Sequence, residues 1–191
     1  MKIVKTIFAV MVLLAGSKCF AAGQDPAETK TVDVTTVYCD LMESGPRRIK
    51  NAELYVRSGS ANEIKRTLSE SIIRKTDLPP SAFSENDTVT FVVFRGFFWN
   101  SGHTLKIDRI ERAGNSFYVY AAYYDSARGL FTASMQTYPA AFISIGNLPK
   151  GKYEARLRVT RIVRDWKGGY IDTVQEKERG KERASIAFEV K

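Results

Sequence analysis

The sequence predicts a mainly β fold, an antiparallel β-sandwich that carries one amphipathic α-helix. Apolar residues recur at every second position in several short runs, which is the period of side chains on one face of a strand. A single run has helical spacing, and strands do not alternate with helices as they do in parallel-sheet proteins. The chain of 191 residues is also long enough to bury one sizeable core.

The first two predicted strands lie in the N-terminal part of the chain. Residues 31–40 are rich in Val, Thr and Tyr, which favour extended backbone. Ala52, Leu54 and Val56 occupy alternate positions, so a second strand places three apolar side chains on one face.

One helix is predicted near residues 61–76. Ser60 and Glu63 form a capping box, in which the two side chains bind amides at the helix start. Pro79 and Pro80 prevent the helix from continuing. The apolar residues at helical spacing are Ala61, Ile64, Leu68 and Ile72.

From residue 88 onward the pattern is nearly all strand. Residues 89–94 are apolar on both faces, which is typical of a central strand covered on each side. Alternating runs at 105–107 and 117–123 flank a turn at Gly114 and predict a hairpin. Further strands are predicted at 141–145 and 184–190.

A turn that leads into Tyr153 indicates which kind of β-sandwich the strands form. Leu148-Pro149-Lys150-Gly151 precedes Tyr153, after which Ala155, Leu157 and Val159 alternate. This arrangement resembles the tyrosine corner of immunoglobulin-like sandwiches, in which the phenol bonds to nearby backbone. The resemblance implies an immunoglobulin-like arrangement of the strands.

Residues 1–21 are typical of a secretory signal peptide. Lys2 and Lys5 precede a short apolar core, and small residues surround the expected cleavage after Ala21. A lipid anchor is the alternative interpretation, but Ser17 stands where the acylated cysteine belongs. We therefore expect a periplasmic or secreted protein rather than a lipoprotein.

Beyond the signal peptide, we expect a flexible leader at residues 22–30 and a single β-sandwich domain at residues 31–191. The formal net charge of +8 falls by three with the signal peptide, and the remaining basic residues are interleaved with acidic ones. This distribution does not indicate nucleic-acid binding. Cys39 is the only cysteine after residue 21, so no disulfide is expected within the processed chain.

The motif content predicts no cofactor and no metal. The sequence has no closely spaced set of metal ligands and no glycine-rich phosphate loop. No later run is long and apolar enough to predict a transmembrane helix.

His103, the only histidine, is a candidate for function. It has the inward parity of Leu105 and Ile107, but it begins a strand beside Gly102, which favours a place at the rim of the core. A catalytic role would need an orienting carboxylate or a nucleophile such as Cys39, and no motif indicates either. We predict no catalytic residues.

Aromatic residues supply the remaining candidates. Tyr118, Tyr120 and Tyr124 have the parity opposite to Phe117 and Val119, so they form a stripe on the outer face of a sheet. The alternative is that the helix or Trp166 covers this stripe. The predicted contact residues are Trp99 and His103 at the rim, Tyr118, Tyr120 and Tyr124 in the stripe, and Trp166 and Tyr170 at a hairpin tip.

The order of features between residues 89 and 145 carries a family resemblance. The features are an apolar strand followed by Gly96, then Ser101-Gly102-His103-Thr104, then Gly114 before Phe117, then Thr137-Tyr138-Pro139 before Phe142. This order of features resembles that in the C-terminal domain of the bacterial PrcB-type family. The members of that family are accessory subunits of a protease complex. The resemblance implies a non-enzymatic exported protein that binds or stabilises another protein.

From these observations we expect an exported, non-catalytic binding or accessory protein. Its partner is expected to be a protein, which it engages through a sandwich rim or through the aromatic face. The alternatives are a glycan-binding module and, less favoured, a hydrolase that uses His103.

Overall fold

The computed structural model describes residues 28–40, 53–74, 83–126, 136–164, 170–171 and 180–191. The predicted signal peptide, most of the predicted leader and Trp166 lie outside the described residues. The elements are β1 (Lys30–Thr31), β2 (Thr35–Asp40), β3 (Glu53–Ser58), α1 (Ala61–Arg74), β4 (Thr88–Phe94), β5 (His103–Ala113), β6 (Ser116–Asp125), β7 (Pro139–Asn147), β8 (Gly151–Arg164), β9 (Tyr170–Ile171) and β10 (Lys181–Val190).

The strands form two sheets. In the six-stranded sheet, β1, β5, β6, β8 and β10 are neighbours in that order, and β9 pairs with β8. The four-stranded sheet has the order β2, β7, β4 and β3. The predicted mainly β sandwich with one helix is therefore confirmed, while its immunoglobulin-like character stays a prediction.

The main core lies between the two sheets. Phe91, Phe117, Ile143 and Leu157 are each at most 1% exposed, and they come from four different strands. Phe117, Ile143 and Leu157 lie at alternating apolar positions of predicted strands, in which successive residues point to opposite faces. For residues 89–94 the sequence predicts burial on both faces and distinguishes no inward side. Burial of each such side chain contributes ~1.5–3 kcal/mol to the free energy of unfolding.

A second apolar layer lies on the other face of the four-stranded sheet. Ala61 and Ile64 of α1 pack there with Val92, Phe94 and Phe142. Strand β4 is therefore covered on both faces, which explains why residues 89–94 show no polar alternation. The helix covers the four-stranded sheet and not the outer face of the six-stranded one.

The predicted capping box begins α1. The backbone N–H of Ser60 donates to Oε2 of Glu63 at 2.9 Å, and the N–H of Glu63 lies 3.4 Å from Oγ of Ser60. These bonds satisfy amides that have no partner within the helix. The predicted helix near residues 61–76 is confirmed over Ala61–Arg74, and residues 75 and 76 lie outside the described residues.

One pairing contradicts the prediction of an entirely antiparallel sandwich. β6 and β8 are parallel, with Phe117 opposite Ala155 and Val119 opposite Leu157. The reason is that β7, between them in sequence, belongs to the four-stranded sheet. The chain leaves the six-stranded sheet after β6 and returns to it in the same direction. The described part of this connection, residues 136–150, contains β7 and no helix of the kind that usually marks a parallel crossover.

The single strand predicted at residues 31–40 is in fact two strands. Lys30 and Thr31 pair with β5 of the six-stranded sheet, whereas Thr35–Asp40 pairs with β7 of the other sheet. Val32 and Val34 pack against the core between these pairings. The segment thus crosses from one sheet to the other, and the leader predicted at 22–30 overlaps β1 by one residue.

The turn before β8 has the predicted tyrosine hydrogen bond. The hydroxyl of Tyr153 donates to the carbonyl oxygen of Pro149 at 2.8 Å, and the Tyr153 residue is 5% exposed. The strands on either side of the predicted hairpin tip pair with each other, with Arg164 opposite Tyr170, while residues 165–169 lie outside the described residues.

We predict that Tyr153→Phe lowers the free energy of unfolding by about 1 kcal/mol, because it removes one hydrogen bond and keeps the buried ring. Tyr118→Phe is the control, since Tyr118 lies on the outer face and its hydroxyl makes no hydrogen bond within the described residues. Urea unfolding of both variants gives the comparison. Equal urea midpoints for the two variants would show that the stability of the turn does not depend on the Tyr153 hydroxyl.

Candidate functional site

A buried carboxylate lies at the end of the sandwich where β6 stops. The side chain of Asp125 is 5% exposed, and that of Arg95, with which it forms an ion pair, is 3% exposed. Arg161 of β8 donates to the second oxygen of the same carboxylate. Nδ1 of His103, the first residue of β5, lies 2.6 Å from Oδ1. One carboxylate therefore binds three basic side chains from three separate segments.

Arg95 joins the two sheets at this cluster. Its Nη1 donates to the carbonyl oxygens of Thr104 and Tyr124, at 2.6 Å in each case. Its Cζ lies 4.9 Å from the ring centroid of Phe98 and 5.0 Å from that of Tyr123. Since Arg95 directly follows β4, the end of a strand in the four-stranded sheet is hydrogen-bonded to β5 and β6 of the six-stranded sheet.

The charges of the cluster stabilise one another. Burial alone would raise the pKa of Asp125, but the charge of Arg95 and the hydrogen bonds from Arg161 and His103 outweigh burial and hold the pKa below its usual value. Burial lowers the pKa of Arg95, against the opposing effect of Asp125. Both groups are therefore charged at neutral pH, because a guanidinium is not deprotonated in proteins.

His103 belongs to this cluster. Its side chain is 18% exposed, and its ring stacks on that of Phe98 with centroids 3.9 Å apart. Its hydrogen bond within the described residues is to Asp125, and no hydroxyl or thiol there bonds to the ring. Cys39, the nucleophile considered for a hydrolase, lies in β2 of the other sheet.

The connection between β4 and β5 exposes an indole at the rim. Trp99 is 63% exposed, and its ring lies 4.7 Å from that of Phe97 in an edge-to-face contact. Two backbone hydrogen bonds of 3.0 and 2.9 Å tie Phe98 to Thr137, and the Thr137 hydroxyl donates to the carbonyl oxygen of Asn100. The exposed indole therefore projects from a connection that is fixed on both sides.

The outer face of the six-stranded sheet carries a second group of aromatic and basic residues. Strand register places them in two neighbouring rows that cross β5, β6 and β8. We call these six residues the tyrosine–arginine face: Arg109, Tyr120 and Arg158 in one row, and Glu111, Tyr118 and Arg156 in the next.

Guanidinium groups hold the two tyrosine rings of this face. Cζ of Arg109 lies 3.8 Å from the ring centroid of Tyr120, and Cζ of Arg158 lies 5.7 Å from it. Arg158 also lies 4.8 Å from the centroid of Tyr118, and its Nη1 donates to the Tyr120 hydroxyl at 3.3 Å. Both tyrosines are half-buried. Their rings are fixed by cation–π contacts while part of each stays accessible.

Carboxylates neutralise most of the neighbouring charges. Nε of Arg109 lies 2.6 Å from Glu111, and the hydrogen bond from Arg109 is the main cause that lowers the pKa of Glu111. Arg156 bonds to Glu154 at 2.7 Å and lies 3.6 Å from Glu182. The face is therefore rich in charged groups without being strongly basic.

The structure brings together some of the predicted contact residues and separates others. Tyr118 and Tyr120 share Arg158, whereas Tyr124 lies further along the same side of β6. Trp99 and His103 both lie at the rim. The backbone of Tyr170 is in β9, but its side chain, like the whole of Trp166, lies outside the described residues.

The sequence pattern does not indicate the basic and acidic partners of these residues. Arg158 has the outward parity of its strand, opposite to Leu157, so its exposure could have been predicted. Its proximity to Tyr120 could not, because it follows from the parallel pairing of β6 with β8. The residues missed are Arg95, Asp125 and Arg161 in the buried cluster, and Arg109, Glu111, Arg156 and Arg158 on the face.

The described residues define the protein as a two-sheet β-sandwich with a helical cover on the smaller sheet. Comparison of the chain with protein-family models, with curated proteins and with solved structures gives no match. In the part of the chain that the structure describes, no helix is long and apolar enough to cross a membrane, and no group of three or more His, Cys, Asp or Glu side chains could hold a metal ion.

We predict that Asp125→Asn lowers the free energy of unfolding by ~3–5 kcal/mol, because Arg95 is then buried without an anionic partner. Arg161→Gln is the matched control. Its side chain is 65% exposed, so the loss should stay below about 1 kcal/mol. Urea denaturation measures both. A small loss in the asparagine variant would mean that water reaches the Arg95 guanidinium.

The pH dependence of stability provides a separate test of Asp125. The pKa of Asp125 is lowered in the folded protein. Its contribution to the free energy of unfolding is therefore complete above about pH 3.9, the pKa of an unfolded aspartate. This contribution is lost as the pH falls through the folded pKa. The difference in stability between the wild type and Asp125→Asn should therefore be constant from neutral pH to about pH 4 and shrink below it. A difference that already shrinks near pH 6 would indicate a raised pKa and contradict the assignment.

Proposed function

We propose that the chain is an exported, non-catalytic binding or accessory protein that engages a protein partner through the tyrosine–arginine face. The observation that carries the proposal is the fixed pair of half-buried tyrosines, Tyr118 and Tyr120, held by Arg158 on a sheet face that the helix does not cover. Tyrosine and arginine are enriched in the residues that dominate protein–protein binding energy.

The rigidity of this face favours binding. Tyr120 packs between two guanidinium groups, and its neighbours in β6, Val119 and Ala121, are buried in the core. Side chains that are already ordered lose little conformational entropy when a partner binds. The resemblance of residues 89–145 to the PrcB-type accessory family also supports a protein partner for an exported chain.

Glycan binding at the rim is the second candidate. The 63% exposed indole of Trp99, on a connection tied to Thr137, supports it. An exposed aromatic ring offers a flat apolar surface to a sugar as well as to a protein. The less favoured alternative is a hydrolase that uses His103, whose ring bonds to Asp125 as an oriented catalytic histidine would.

We predict that Tyr118→Ala combined with Tyr120→Ala weakens partner binding by at least about tenfold, or ~1.4 kcal/mol, because two anchoring rings are lost. The experiment immobilises the purified protein, captures partners from an envelope extract, and then measures the affinity of the recovered protein for each variant. Circular dichroism verifies that every variant is folded.

Two single variants provide the controls. Trp99→Ala tests the rim, and His103→Ala tests catalysis. Both should keep the affinity within about tenfold if the face is the binding site. Loss of binding in Trp99→Ala alone would move the site to the rim. Hydrolytic activity that disappears in His103→Ala, with no recovered partner, would reject the proposal in favour of an enzyme.

A further inference from the structure

We propose that Arg158 is the anchor for a carboxylate group of the protein partner, an inference that rests on the function proposed above. Arg158 lies at the β8 end of its row in the tyrosine–arginine face. Strand register places it opposite Tyr120 of β6 on one side and Glu182 of β10 on the other. The Arg158 residue is half-buried, so part of it is exposed to solvent.

The guanidinium of Arg158 is held in position by aromatic rings rather than by an acid. It lies 4.8 Å from the ring centroid of Tyr118 and 5.7 Å from that of Tyr120, and Nη1 donates to the Tyr120 hydroxyl. One hydrogen bond uses only one of the five N–H donors of the group. The remaining donors form a planar fork whose geometry matches a carboxylate.

The neighbouring arginines differ from Arg158 because each already has an acidic partner. Arg109 pairs with Glu111 at 2.6 Å, and Arg156 pairs with Glu154 at 2.7 Å. Within the described residues, Arg158 forms no salt bridge. Its charge contributes only the last and smallest of the causes that lower the pKa of Glu111. Among the residues that the structure describes, Arg158 is thus the arginine of this face without an ion-pair partner.

The surrounding charges determine which anion fits. Glu111, Glu154 and Glu182 lie near Arg158 on the same face and would repel a dense polyanion such as a nucleic acid or an anionic membrane. A single carboxylate between apolar groups avoids this repulsion, because the apolar groups contact the tyrosine rings. The favoured ligand is therefore an aspartate, glutamate or chain-terminal carboxylate in an aromatic or aliphatic context.

The test compares two capped tripeptides, acetyl-Phe-Glu-Phe-amide and acetyl-Phe-Gln-Phe-amide, by NMR titration of the ¹⁵N-labelled protein. The Glu peptide should bind the wild type about tenfold more tightly than the Gln peptide, the scale of one charge-assisted hydrogen-bonded pair. The preference should disappear in Arg158→Gln and become weaker in Arg158→Lys, which keeps the charge without the planar fork. The chemical-shift changes caused by the peptide should be largest for the backbone amides of Tyr118, Tyr120 and their neighbours.

Arg66→Gln is the matched control, because it also removes one arginine, and Arg66 is exposed on α1, which covers the four-stranded sheet and not the tyrosine–arginine face. It should keep the preference for the Glu peptide. Equal binding of the two peptides, binding of neither, or equal loss of the preference in both Gln variants would overturn the role of Arg158. A single-stranded oligonucleotide that displaces the Glu peptide from the wild type would also overturn it.

These outcomes are separable from failure of the proposed function. If neither peptide binds but the double tyrosine variant loses the captured partner, the face binds a protein and the carboxylate inference alone is wrong. If the double tyrosine variant keeps the partner, the proposed function fails, and the role of Arg158 fails with it.

Discussion

The arrangement of the two sheets depends on the ion pair between Arg95 and Asp125. Arg95 follows the last residue of β4 in the four-stranded sheet, and Asp125 ends β6 in the six-stranded sheet. Both charges are buried, so a packing that separates them leaves an uncompensated charge inside the protein at a cost of several kcal/mol. The pair adds little net stability compared with apolar residues of the same volume. Its physical effect is to disfavour other packings of the same two sheets.

Much of the fold follows from local pattern, whereas the connections between distant strands do not. The alternation after Tyr153 and the Gly114 turn predict β8 and the β5–β6 hairpin, because strand period and turn chemistry are properties of neighbouring residues. Asp125 lies two residues after Tyr123 and so has the same inward parity. The burial of this acid could therefore have been predicted from the sequence. Its partner Arg95 follows a strand of the other sheet. No sequence pattern in either segment predicts that these two residues pair.

The candidate site shows the same limit. Tyr118 and Tyr120 are predictable from parity, but Arg109 has the parity of the inward Ile107, so simple alternation would place it in the core. The register between β5 and β6 shifts between Ile107 and Arg109, which turns Arg109 outward and returns Ile110 to the core. A bulge depends on how two strands fit together, and the residues of one strand alone do not specify it.

The parallel register of β6 and β8 decides which chemistry the outer face presents. Tyr118 lies opposite Arg156 and Tyr120 opposite Arg158, so each row joins an aromatic ring to a guanidinium. A slip by one residue would expose Leu157 and bury Arg158, which would cost both apolar burial and desolvation of a charge. The core and the composition of the face are therefore fixed by one register. Because the two sets of side chains alternate on the same strands, a substitution on the outer face changes the chemistry of that face while the contacts between the sheets remain.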